Sequence, residues 1–181
     1  MSTLRFNTWQ NTGGTEVANS TLGTGKILQV VSTSKTDTFS TSSTSFASIT
    51  GMSVTITPSS ATSKILIFVD AKTGVPLTTN ATAQVRLTGG NSGDYIGDTA
   101  GSRTRVMSSP ELYGTSNYTT LSMGAAIGIY LDSPATTSPV TYQLEMRTDA
   151  GTVYLNRNAS DADAARYSRA ASSITVMEVS A

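Results

Sequence analysis

The stretch GGNSGDYIGD (Gly89 to Asp98) gathers Asn91, Asp94 and Asp98 within a few residues. Side-chain oxygens of this kind are what a Ca²⁺ ion takes as ligands. Their spacing follows no calcium-loop pattern, and a Gly/Asn/Asp-rich turn accounts for the same residues. A second polar cluster, NASDADAARYSRA (Asn158 to Ala170), sets Asp161 and Asp163 near Arg157, Arg166 and Arg169. It reads as a local ion-pair network that orders a long loop. GTGKI (Gly23 to Ile27) resembles a phosphate loop only in part. Ser20 stands where the first glycine belongs, and Ile27 stands where a Ser or Thr must follow Lys26. It reads as a turn.

Catalysis finds little material. The chain has no histidine and no cysteine, which removes the commonest general base, the commonest metal ligand and all thiolate or disulfide chemistry. Serine is abundant, yet there is no G-x-S-x-G turn and no His to activate a nucleophile. A glycosidase needs two carboxylates facing across a cleft, and none of the 12 acidic residues is marked out for such a pair. The N-x-S/T matches at Asn19, Asn80, Asn117 and Asn158 are expected by chance in a chain this rich in Ser and Thr. We therefore expect no enzyme, no cofactor and no metal.

Composition bounds the partners as well. Formal net charge is zero and the sequence pI is near 6.2, so no broad basic face offers itself to nucleic acid. The N-terminus MSTLRFNTWQ lacks the apolar stretch of a signal peptide, and the runs ILIFV and AAIGIYL are too short for a membrane-spanning helix. These features suit a chain made in a cytoplasm, with no membrane partner. Roughly a third of the residues are Ser or Thr, far above ordinary usage. Disordered chains usually carry high net charge and few β-branched residues. Neutral charge with Thr, Val and Ile points instead to pleated, half-buried sheets with hydroxyl-rich outer faces.

The elements that must position these residues read as strands. In MSVTITP, Met52, Val54 and Ile56 alternate with Ser53, Thr55 and Thr57, the period of a half-buried strand. Pro58 stops it and SSATS turns the chain. KILIFVDA is apolar on both faces, which suits the middle of a sandwich. Phe39, Phe46 and Ile49 are expected to pin the preceding Ser/Thr-rich lead-in to the body. Further strands are expected at Ile27 to Ser32, Thr82 to Gly89, Tyr118 to Asp132, Pro139 to Thr148, Thr152 to Asn156 and Ser172 to Ser180. DAG (Asp149 to Gly151) is expected to close a hairpin between two of them. No helical period is sustained. The fold expected is all-β: an antiparallel β-sandwich, jelly-roll-like, with an extended N-terminal arm.

We divide the chain into an arm, residues 1–25, and a sandwich domain, residues 26–181. Leu4 and Phe6 share one face of the arm, and Trp9 is the only tryptophan. A tryptophan outside the body needs a surface to pack on. One reading folds this segment back as an edge strand of its own sandwich. The reading adopted docks Leu4, Phe6 and Trp9 on a neighbouring subunit or another protein by strand addition.

The segment GKILQVVSTSKTDTFSTSSTSFASITGMSVTITPSSATSKILI resembles a recurrent segment of structural proteins of tailed bacteriophages, especially phages of cyanobacteria and other aquatic bacteria. The opening MSTLRFNTWQNTGGTEVANSTLGTGK is similar to its lead-in, and YLNRNASDADAARYSRAASSITVMEVSA to the C-terminal end of such proteins. The middle, Thr73 to Pro139, carries none of this likeness. The resemblance implies a virion component and brings no catalytic residues. One role it implies is a homotrimeric capsid decoration (cement) protein bound to the major capsid protein or another virion protein. The other is a receptor-binding (adhesin) module of a tail or head fibre, in which Tyr95, Tyr113 and Tyr167 on loops contact a host glycan.

Overall fold

The structure, a computed structural model, describes residues 25–76, 81–91, 95–110 and 123–181. The described residues form nine strands: β1 (Ile27–Lys35), β2 (Phe39–Thr41), β3 (Ala47–Ile56), β4 (Lys64–Gly74), β5 (Gln84–Thr88), β6 (Met123–Asp132), β7 (Val140–Arg147), β8 (Val153–Leu155) and β9 (Ser172–Val179). They make two antiparallel sheets. One holds β1, β9, β4, β8 and β2 in that order with β6 on the other side of β4, and the second runs β3, β7, β5.

Alternation in the sequence explains the layering. Ile65, Ile67 and Val69 of β4, Ile174 and Val176 of β9, and Ala126 of β6 point inward from the first sheet. Met52, Val54 and Ile56 of β3, Tyr142, Leu144 and Met146 of β7, and Val85 and Leu87 of β5 meet them from the second. Each large aliphatic side chain buried in this layer contributes about 1.5–3 kcal/mol. The expected strand at Met52 to Thr57 is thus part of a longer one, bent where the β3–β7 register shifts between Ser48 and Ser53. Gly51, at φ 78°, occupies that bulge, as a residue without Cβ can. The lead-in is pinned as expected. Phe39 packs against the core, Ile49 lies inside it, and the Phe46 ring sits under the Arg86 guanidinium at 4.0 Å.

The order of strands is jelly-roll-like. Apart from the short continuations β2 and β8, successive strands alternate between sheets. β1 pairs with β9, β3 with β7 and β4 with β6, nested around β5. One local expectation fails. Asp149 to Gly151 does not close a hairpin, because β7 pairs with β3 and β5 whereas β8 pairs with β2 and β4. The turn carries the chain from one sheet to the other. Thr148 holds the crossing, its amide donating to Ser43 O at 2.9 Å and its hydroxyl to Ala150 O at 2.6 Å. The arm, with Leu4, Phe6 and Trp9, lies outside the described residues apart from Gly25, as does the predicted strand over 118–122.

Candidate interaction surface

The described residues of the polar clusters singled out in the sequence make contacts within the fold. Asn91 donates its side-chain amide to Ser133 O at 2.8 Å, and its backbone N–H points at Asp132 Oδ1. Asp94 lies outside the described residues. Among the described residues no group of three or more acidic side chains is placed to hold a metal ion. Asp161 pairs with Arg169 at 2.7 Å and Arg157 at 3.5 Å, as the ion-pair reading expects. Arg157 also stacks 3.7 Å over the Tyr154 ring. Gly25 and Lys26 lead into β1: the Gly25 amide donates to Ser180 O, and the Lys26 amide to Ser180 Oγ, both at 3.0 Å. Asn158 is buried and accepts from the Ser168 amide, so it offers no surface site for glycosylation.

The tyrosines separate. Tyr95 is a correction: it is buried, its ring 5.0 Å from that of Tyr130 in the core, and it presents no face to a ligand. On β6, the Tyr130 ring and the Met107 sulfur occupy the space that a Cβ on Gly128 would need. Tyr113 lies outside the described residues. Tyr167 is half-buried and lines a shallow depression of about 250 Å³ with Asp161, Asp163 and Arg169.

Two buried acids stiffen the body. Glu178 of β9 is fully buried. One carboxylate oxygen accepts from the amide and hydroxyl of Ser59 at 2.8 and 2.6 Å, and the other from Gln29 Nε2 at 2.6 Å. Burial pushes this carboxyl up, but hydrogen bonds from Ser59, Ser63 and Gln29 outweigh burial and hold it at about 2. Asp132 Oδ2 accepts from the Tyr142 hydroxyl at 2.6 Å. Burial, then this carboxylate, push the Tyr142 phenol up, so it stays a donor.

The outer faces of the two sheets differ sharply. The β3–β7–β5 face is polar, and several of its side chains bond one another. Thr55 and Thr141 share a hydrogen bond at 2.7 Å, and Arg86 Nε donates to Glu145 at 2.7 Å. The opposite outer face carries an apolar patch. Register places Val30, Met177, Leu66 and Leu131 in one row across β1, β9, β4 and β6. The next row runs Ser32, Thr175, Phe68 and Ile129, and the third ends at Ile127 beside Asp70. Ile127 is 60% exposed, Ile129 63%, Leu131 53% and Val30 55%. All the exposed large hydrophobic residues among those described lie on β1, β4 or β6.

The sequence carried a sign of this surface in KILIFVDA and AAIGIYL, apolar at both alternate positions. Reading KILIFVDA as the middle of a sandwich was half right. β4 is central in its sheet, with β9 and β6 on either side, but its Phe68 face remains 36% exposed. Among the described residues no helix is long and apolar enough to cross a membrane. No protein-family model and no curated protein matches this chain.

Proposed function

We propose that the protein is a non-enzymatic structural component of a tailed-phage virion, a homotrimeric capsid decoration protein that stabilises the shell from outside. The observation that most supports this is the unequal pair of outer faces. One is polar and hydroxyl-rich and suited to water. The other presents isoleucine, leucine and phenylalanine and suits contact with protein. A decoration protein adds interface at subunit junctions, which stabilises the assembled shell by mass action. In this reading the arm, with Leu4, Phe6 and Trp9, grips the major capsid protein, and the chain enters the virion after synthesis in the host cytoplasm.

Removing residues 1–20 tests it. The truncated protein is expected to keep its far-UV circular dichroism and lose its co-sedimentation with particles stripped of the native protein. Undiminished attachment contradicts the reading. The adhesin reading draws on one observation, the depression at Tyr167 flanked by Asp161, Asp163 and Arg169, where an aromatic ring and polar groups could meet a host glycan. It predicts that Tyr167→Ala lowers adsorption to host cells while the truncation leaves adsorption intact.

A further inference from the structure

We propose that the apolar outer face of β1, β9, β4 and β6 is the self-association surface of this protein, covered by the same face of other copies of the chain. The inference rests on the decoration reading only for its setting, since that reading asks for a trimer without saying which surface holds it.

Size is the first argument. The exposed large hydrophobic side chains among the described residues are between 36% and 63% exposed. Together they present on the order of 500 Å² of apolar surface, at the upper end of what monomers leave in water. With a polar rim, such a patch approaches the roughly 800 Å² per partner of a stable interface.

Shape and charge narrow the occupant. The band crosses all four strands and ends on β6, which among the described residues pairs only with β4. The charges beside the band on β4 are Lys64, Asp70 and Lys72, and Asp70 binds Lys72 within the face at 2.6 Å. A nearly neutral face gives no handle to an anionic lipid surface or a nucleic acid. It suits a partner as apolar and as neutral as itself. The protein's other outer sheet face is polar, so that partner surface on a second copy is this same face. Sheets that meet in this way pack about 10 Å apart with side chains interdigitated. Two copies do so across a two-fold; three copies instead turn the same face toward a common axis, each meeting its neighbours along the edges of that face.

The test is the mass of the purified full chain in solution, by native mass spectrometry and analytical ultracentrifugation at micromolar concentration. The wild type is expected to run as a closed oligomer. Ile129→Lys and Ile127→Lys put unpaired charge into the centre of the face, and each is expected to weaken association by at least about 30-fold. Both residues are exposed in the single chain, so the variants are expected to keep the wild-type circular dichroism. Thr55→Lys, on the polar face, is expected to leave the mass unchanged and controls for added charge. A monomeric wild type overturns the proposal, as does an Ile129→Lys variant that remains fully assembled. Particle attachment is scored separately. A monomer that still decorates capsids overturns self-association through this face and leaves the proposed function standing. An oligomer dispersed by Ile129→Lys but indifferent to capsids supports the face and removes the function.

Discussion

Glu178 shows how few atoms decide whether the body holds together in acid. Its carboxylate is fully buried, and every contact it makes to Ser59 and Gln29 is one in which it accepts. An amide in its place turns two protons toward donors, which costs about 1–3 kcal/mol. Glu178→Gln is therefore expected to lower the urea midpoint at neutral pH. The carboxyl lies at about 2 in the folded chain, against 4.5 for an unperturbed one. A group depressed on folding stabilises the fold above its unfolded value and loses that contribution as pH falls toward the folded one. Stability of the wild type is expected to fall between about pH 4.5 and 2, a window set by these two values. Glu178→Gln is expected to flatten that fall. A wild-type midpoint that does not change across the window contradicts the assignment.

At the scale of elements, alternation made β3 and β7 legible and an unbroken apolar run made β4 legible, and each buries about every second residue. What the sequence could not convey is the sheet to which a short strand belongs. Val153 to Leu155 follows a turn that suits a hairpin, yet it pairs with β2 and β4. The deciding contacts come from Asn156, distant in sequence from its partners. At φ 62° it donates its side-chain amide to Lys35 O at 2.7 Å and Asp37 O at 3.0 Å, and its backbone amide to Lys72 O at 2.8 Å. Its side-chain oxygen accepts from Ser172. One residue thus joins the β1–β2 corner, β4 and the start of β9. Asn156→Ala leaves the buried Lys35 carbonyl unpaired and strains a left-handed backbone, and is expected to cost about 2–4 kcal/mol in chemical denaturation. Asn156→Gly relieves the backbone only and is expected to recover less than half of the loss. Equal stability of the two variants and the wild type contradicts this role.

At the scale of the whole molecule, the sequence predicted hydroxyl-rich outer faces, and one of the two sheets has one. On the other sheet, AAIGIYL places Ile127, Ile129 and Leu131 outward. An apolar residue in a strand says only that it needs cover, and a chain read alone does not distinguish cover by its own core from cover by a neighbour. That ambiguity is why the core was legible and the apolar outer face was not. Tyr95 lies on a loop as read, but its ring is buried beside Tyr130. A sandwich with one wet face and one apolar face suits an assembly more than a solitary life in solution. The most direct measurement of the proposed role is electron microscopy of intact phage particles labelled with gold-conjugated antibody against this protein. The account predicts label distributed over the whole head; label confined to the tail, or absent from the particle, would contradict it.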